Sequence, residues 1–486
     1  MTRRRVLALA GLVVGVWALV AGWNLVFGAL HIREGKQAID AARATSSVAE
    51  LIEARPVADL QRAHSRLRAA HRRLTSPTLA PVRVLPVVGR QLRALSALSG
   101  SVATVADAGA TAVTRARSAV ERGTVTGPQR AAAARELADV AADTLDRIDR
   151  LDLGPSRGLV GPIARARAET VEKLDGARTG LRRGAAGGRA LATLLEGPRR
   201  YLVAAANNAE MRAGSGMFLQ LGLLETGNGA LRLEDVRTVT AYEIPPGSVA
   251  VEGDLADRWG WLHPADDWRQ LMLSPRFDVQ APLAARMWEA GGRPPVDGVL
   301  VLDAVAFSGL LEATGPVEVE GRSISASSVV QELLHDQYVR YTVEEQRQRR
   351  EGLGQLARAT FDALERGGWS VTDLARGMQA VVDGRHVLAW AARPEEQADW
   401  VAAGVHGALQ ADSLLVALSS RTGNKLDYFQ RVTSDLAVSR TATESVVTLR
   451  VTLRNAVPAG APPSFVTDFE GSGAGEGGYL AIFAVN

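Results

Sequence analysis

The sequence predicts an α/β domain built on a mixed sheet, preceded by one transmembrane helix and an all-α helical region and followed by an antiparallel β segment. Three observations carry that expectation. An uncharged, apolar run fills residues 6–30. Apolar residues then recur at helical spacing from about 34 to 195, in a stretch rich in alanine and arginine. From about 199 onward, short apolar runs alternate with helical stretches, the order of an α/β fold, until strict alternation sets in near 432.

The apolar run is broken only by Asn24 and is long enough to cross a hydrocarbon core of about 30 Å as a helix. Arg3, Arg4 and Arg5 precede it, which keeps that end cytoplasmic by the positive-inside rule and puts everything after His31 outside. Trp23 falls where an interfacial ring would sit. A cleaved signal peptide has a shorter apolar region with a small-residue cut site close behind, whereas this run continues through Trp23, Phe27 and Leu30. The expected location is therefore the cell membrane, single-pass, with the C-terminal domains extracytoplasmic. Gly11 and Gly15 form a GxxxG, a spacing that permits a homodimer but is common in any span.

Composition narrows the function classes. With 486 residues, 47% hydrophobic and 22% charged, the chain is foldable and too long for one core. A net charge of +3 and 5% aromatic residues speak against a nucleic-acid partner. Cysteine is absent, which excludes disulfides, thiolate metal sites and cysteine nucleophiles. Lys36, Lys173 and Lys425 are the only lysines, so 53 of the 56 basic residues are arginine. Against that bias, an arginine is weaker evidence for phosphate recognition than it would be elsewhere.

In the helical region, Leu60, Leu67 and Leu74 recur at seven with His64 and His71 between them. Leu137, Val140, Ile148 and Leu151 line a second face, and Val160, Ile163, Val171, Leu174 and Leu181 a third. Breaks at 76–86, 123–128 and 154–155 divide it into a stalk or bundle of four helices. His64 and His71 lie two turns apart, too far for one ion, and are read as a solvated face.

Beyond 199, residues 201–206 and 217–225 read as strands joined through a hairpin turn at Gly227, Asn228 and Gly229, with Leu231 and Leu233 alternating on the return. Residues 296–302 form another strand. Asp303 then caps a helix carrying Phe307, Leu310 and Leu311, which Gly315 and Pro316 stop before the extended 317–319. A long helical stretch is expected over 327–366, then a strand at 386–391, a helix at 395–409 and a strand at 414–418. Residues 432–438 and 446–453 alternate as a half-solvated hairpin, and the glycine-rich 471–478 reads as a loop. The domain boundaries follow as 1–31 for the tip and anchor, 32–197 helical, 198–425 α/β and 426–486 C-terminal β.

The polar cluster Asn207, Asn208, Glu210 and Arg212 follows an apolar strand directly and leads into Gly214, Ser215 and Gly216. In open α/β sheets, ligands gather at the carboxyl ends of strands. Arginine offers a fork for phosphate or carboxylate, and glycines let backbone amides approach. The competing reading pairs Glu210 with Arg212 and uses the asparagines to tie down a turn. Other templates fail: the sequence has no HExxH and no phosphate loop, and Gly214-Ser215-Gly216 falls short of a nucleophile elbow. Asp266 with Asp267 and Glu344 with Glu345 read as solvated surface, and Asp336 and Tyr338 as structural.

The segment from Arg200 to Phe218, with its Asn-Asn-x-Glu-x-Arg core, resembles the signature of the domain of unknown function 4012 family, here of actinobacterial type and membrane-anchored. Further blocks at 272–278, 296–319 and 423–428 extend the resemblance over about 199–463. More distantly, the 296–319 block is similar to the closing block of LytR-CpsA-Psr proteins. That likeness implies an external α/β domain acting on polyprenyl-pyrophosphate-linked glycopolymer, with arginines and aspartates holding pyrophosphate and magnesium. By it Arg212 stands near the first arginine. Arg237, with Asp235, lies at the distance of a second motif, and Asp278 closes the 272–278 block. The metal-binding aspartate is replaced by Gly214, so magnesium is implied only if that chemistry is retained, and enzymatic activity stays open. The candidate ligand-binding residues are thus Asn207, Asn208, Glu210, Arg212, Arg237 and Asp278. The expected function is handling of polyprenyl-pyrophosphate-linked glycopolymer or cell-wall polysaccharide; the alternative is a non-catalytic envelope scaffold or binding protein.

Overall fold

The apolar run is part of one longer helix, α1 (Arg3–Arg43). It is the one helix among the described residues that is long and apolar enough to cross a membrane. The computed structural model describes residues 3–43, 54–122, 126–341, 345–369, 371–409, 413–459, 466–467, 474 and 477–485. The chain divides into two compact units: Met1–Gly123 with Ala132–Arg189, and Thr124–Ala131 with Ala190–Asn486.

Four further long helices follow α1: α2 (Ala54–Leu74), α3 (Val88–Arg122), α4 (Gly127–Asp149) and α5 (Gly161–Glu196). Helix α2 runs back along α1, with Leu67 against Gly35 and Leu74 against Gly28. The heptad leucines Leu67 and Leu74 are buried, as their spacing predicts. Higher up, Ala38, Ala63 and Ala106 pack α1, α2 and α3 into one apolar cluster. The break at 76–86 contains a short helix, Ala80–Val84, between Ser76 and the start of α3. His64 and His71 do not form a solvated face. Both are half-buried, and their Nδ1 atoms bond the carbonyls of Ala103 (3.0 Å) and Ser96 (2.7 Å) on α3. Interleaved with the leucines, they fall on the stripe that faces α3, and each imidazole finds a backbone acceptor there.

The second unit is built on a five-stranded mixed sheet ordered β3-β2-β1-β4-β7, from β1 (Arg199–Asn207), β2 (Met217–Gly227), β3 (Ala230–Thr238), β4 (Gly298–Asp303) and β7 (Val387–Ala391). Only the central pair, β1 and β4, is parallel. Strand β4 is buried along its whole length, which is why its sequence is a continuous apolar run without alternation. On one face Leu202, Phe218, Trp268, Phe277, Met287 and Val299 form a core with helix α6 (Phe277–Ala290). Asp303 caps α7 (Ala304–Thr314) through its Oδ1, which accepts from the amides of Val305 (2.9 Å) and Ala306 (3.0 Å). Gly315, at φ 84°, ends that helix. A two-stranded hairpin follows, β5 (Val317–Val319) with β6 (Arg322–Ile324).

The expected helical stretch over 327–366 consists of more than one helix. It includes a π turn at Glu332–Asp336 and stops where Tyr341 is extended (φ −99°, ψ 134°). It resumes as α8 (Gln346–Arg366), and α9 (Val371–Asp383) was not expected. Helix α10 (Pro394–Ala403) ends early because Gly404 turns left-handed at φ 88°. Strand β8 (Val416–Ser420) pairs with the last strand, β11 (Ala481–Val485). Strands β9 (Gln430–Arg440) and β10 (Ser445–Asn455) form the expected hairpin, but it is exposed on both faces. Residues 471–473 and 475–476 of the glycine-rich loop lie outside the described residues.

Helices α7 and α9 cross at Gly309 and Gly377. A Cβ on Gly309 would lie 2.5 Å from the Gly377 carbonyl oxygen, and one on Gly377 would lie 2.1 Å from that of Gly309. Since the obstructing atoms are backbone, neither can swing aside. Gly309→Ala and Gly377→Ala should each destabilise the chain by about 1–3 kcal/mol, read as a lowered melting temperature.

Candidate functional site

Strand β1 delivers its last residue, Asn207, to the carboxyl edge of the sheet, where the chain must turn before β2. Asn207 Oδ1 accepts from the Ala209 amide (3.1 Å) in an Asx turn, and the Glu210 amide donates to the Asn207 carbonyl (3.2 Å). Asn207 Nδ2 donates to Glu210 Oε2 (3.1 Å) and to the Tyr338 hydroxyl (2.8 Å). Glu210 Oε1 accepts from Lys425 Nζ at 2.6 Å, and Lys425 also donates to the Gly423 carbonyl (2.8 Å). The Lys425 ammonium lies 5.1 Å, and the Arg349 guanidinium 4.6 Å, from the centroid of the Tyr338 ring. Burial holds the Lys425 ammonium below its usual range, opposed by the Glu210 charge. The Tyr338 hydroxyl is pushed up by burial and then by Glu210.

Arg212 does not pair with Glu210 through a hydrogen bond and does not point into an opening. Its Nη1 donates to the carbonyls of Ser420 (2.8 Å) and Met211 (3.0 Å), and its Nε to that of Arg269 (3.2 Å). Burial lowers its affinity for the proton, with the charges of Glu210 and Asp427 opposing. Asp427 in turn accepts from the Met211 amide (3.0 Å) and from the Tyr479 hydroxyl. Burial pushes the Asp427 carboxyl up to about 6. Asn207, Glu210, Arg212 and Lys425 are only 6%, 7%, 5% and 3% exposed, so these four are interior groups.

A second group lies beside them because Ala206 is paired with Asp303 across the parallel strands. Asp303 Oδ2 accepts from Asn208 Nδ2 (3.0 Å) and meets His386 Nδ1 at 2.6 Å. That contact raises the His386 imidazole above its ordinary value, against a smaller opposing effect of burial. Asn208 Nδ2 also donates to the Ser215 carbonyl (2.8 Å), while its buried Oδ1 has no hydrogen-bond partner. The His386 side chain is 31% exposed, which makes this group the more open of the two.

Of the candidate residues, Asn207, Asn208, Glu210 and Arg212 are thus brought together, while Arg237 and Asp278 are engaged elsewhere. Arg237 is exposed and paired with Asp235. Asp278 sits in the first turn of α6 and accepts from Arg276 (2.8 Å). The crevice beside Asn207 and Tyr338, lined also by Ala205, Phe307, Leu334 and Leu356, has a volume of about 40 Å³. That is room for roughly three waters. A magnesium ion does not fit the position that the LytR-CpsA-Psr likeness implies. Gly214 offers no ligand there, and a Cβ on it would lie 2.4 Å from Met272 Cε, so a longer side chain requires Met272 to shift. Among the described residues no group of three or more histidines and acids is placed to hold a metal.

Sequence reasoning did not assign a role to Lys425, His386, Asp427 or Tyr479. One signal could have flagged Lys425: in a chain that uses arginine almost throughout, a lysine marks a place that needs a compact charge.

Residues 196–338 match the family described as protein of unknown function (DUF4012), and that stretch belongs to it. The match takes in the Asn-Asn-x-Glu-x-Arg segment and the 272–278 and 296–319 blocks, but not 423–428. Searches of curated proteins and of solved structures found no match.

Two outcomes follow from the geometry. Because the buried guanidinium of Arg212 bonds three carbonyls, that of Ser420 in a fully buried bond, Arg212→Ala and Arg212→Lys should both cost at least about 2 kcal/mol. For a unit of this size that lowers the melting temperature by about 4–8 °C. For His386, the folded value lies above the unfolded value of about 6.5, so its stabilisation is complete below that pH. It is lost as pH rises through the folded value. The difference in melting temperature between the wild type and His386→Gln should therefore be largest in mildly acidic buffer and shrink in alkaline buffer.

Proposed function

We propose that this is a single-pass membrane protein whose bulk lies outside the cytoplasm, where it acts as a non-catalytic scaffold or binding protein of the cell envelope. The observation that carries this is the state of its signature: Asn207, Glu210 and Arg212 spend their hydrogen bonds on the protein's own groups. A pyrophosphate site needs the reverse, donors held open toward solvent. With glycine at 214, the carboxylate that a magnesium-dependent transfer would use is missing from that position. The mixed sheet with its β4–α7 unit supports kinship of fold with LytR-CpsA-Psr proteins while leaving their chemistry aside.

Anchoring is supported by Arg3, Arg4 and Arg5 ahead of the span and by the unbroken course of α1 to Arg43. A signal peptide is cut away, yet here Ala21, Asn24 and Gly28 pack or bond against α2, α3 and the turn between them. Removing the segment would strip a buried face from the helical unit.

A second reading, binding of polyprenyl-pyrophosphate-linked glycopolymer or cell-wall polysaccharide, is favoured by the Asn208–Asp303–His386 group. It stands at the carboxyl ends of β1 and β4, where open sheets collect ligands.

A reporter fused after residue 195 should be active only outside the cytoplasm, and activity inside would overturn the topology. The purified full chain should melt at the same temperature with and without a polyprenyl pyrophosphate and magnesium. A rise of several degrees on adding them would restore the ligand-handling reading.

A further inference from the structure

The turn between α2 and α3 carries an apolar run whose side chains are exposed. Val84, Leu85, Val87 and Val88 are 82%, 51%, 67% and 46% exposed, with Pro86 exposed between them. Five consecutive exposed apolar residues are unusual on a water-facing surface and mark a contact. The residues just before and after the run point to what they contact. Thr78 accepts from Trp17 Nε1 through its carbonyl (2.8 Å), and from Asn24 Nδ2 through its Oγ1 (3.0 Å). Leu79 and Leu92 bury Ala21 between them, with Trp17 and Val82 packed alongside. The turn therefore lies abreast of the part of α1 that holds Trp17, Ala21 and Asn24.

We propose that residues 77–88 form a second membrane contact, sunk into the outer leaflet beside the anchor helix. The inference rests on the anchoring reading above and extends it. Counted from Arg5 at 1.5 Å per residue, a hydrocarbon core of about 30 Å ends near Leu25. Trp17, Ala21 and Asn24 then lie within the core or at its outer edge, and so must whatever touches them. This also accounts for the single polar residue of the apolar run. An amide side chain in hydrocarbon needs partners, and Asn24 has them in Thr78 Oγ1 and Arg73 Nη1 (3.2 Å). Both belong to the α2–α3 hairpin, so the helix and the turn enter the membrane as one packed body.

Charge agrees with a lipid partner. Between Asp59 and Asp107 the chain has eight arginines and no acidic residue. Arg72 and Arg90, one on each side of the apolar run, are exposed and placed to reach lipid phosphates while the run enters the acyl region. Arg83 Nη2 donates to the Leu74 carbonyl (2.5 Å) and Arg93 Nη1 to the Arg83 carbonyl (2.9 Å), which fastens the turn. An exposed apolar tip beneath a collar of arginines suits an anionic bilayer.

The absence of cysteine makes the test direct. Val87→Cys, Val16→Cys and Thr111→Cys would each be made in the full chain, labelled with an environment-sensitive dye and reconstituted into vesicles. The vesicles contain phosphatidylcholine and phosphatidylglycerol, with or without a nitroxide on the acyl chains. Val16 is an exposed position of the anchor, and Thr111 an exposed position far along α3 from the turn. The expected result is quenching at 87 comparable to that at 16, about twofold or more, with little at 111. Quenching at 16 but not at 87 overturns the proposal and leaves the anchor standing, whether or not the dye at 87 is shielded by a protein partner. No quenching at 16 sinks the anchoring reading and this inference with it. Equal quenching at 87 and 111 also overturns it, because the contact would not belong to the turn.

Discussion

The second unit depends on one buried ion pair, Glu210 with Lys425, at 2.6 Å. Taking both charges out of water costs several kcal/mol each, and only close contact with further hydrogen bonds offsets that. Both conditions are met: Asn207 holds the second carboxylate oxygen, and the Gly423 carbonyl takes another ammonium proton. The partners are 215 residues apart in sequence, so the pair decides which distant segment closes over the end of β1. Arg212 repeats the connection through the Ser420 carbonyl, and Asp427 through the Met211 amide. Three polar links thus hold residues 420–427 on the turn that follows β1.

This gives the family signature a physical meaning. Asparagines, an acid and an arginine after a buried strand have the look of a ligand site, because polar groups at a strand end usually face an opening. Here the opening is closed by the protein itself. Strand β8, held by this clamp, then pairs with β11, which ties the end of the chain back to the same region. A clamp of buried charges fits a module that must keep one arrangement of distant segments, the role for which such pairs are best attested.

Much of the local structure was legible in the sequence. The apolar runs of β1 and β4, the Asp303 cap and the Gly315 stop all follow from period and capping chemistry, which act over a few residues. The polar cluster was legible as a unit, but its purpose was not, because its partners Tyr338, Ser420, Lys425 and Asp427 come from 131 to 216 residues away. The helical stretch over 327–366 was legible, but the extended Tyr341 within it was not. The histidines between the heptad leucines were misread for a similar reason. Polarity suggests solvent, whereas a carbonyl on the facing helix serves an imidazole equally well.

Glu210 and Lys425 act as one unit in holding residues 420–427 on the turn after β1. A double-mutant cycle of Glu210→Gln, Lys425→Met and the pair together, on the full chain under chemical denaturation, tests it most directly. Each single change leaves a buried charge without its partner and should cost about 3–5 kcal/mol. The double change removes both charges, so its cost should fall well below the sum, with a coupling of about 2 kcal/mol or more. Costs that add to within about 0.5 kcal/mol would mean that the two residues contribute independently, and would contradict the clamp.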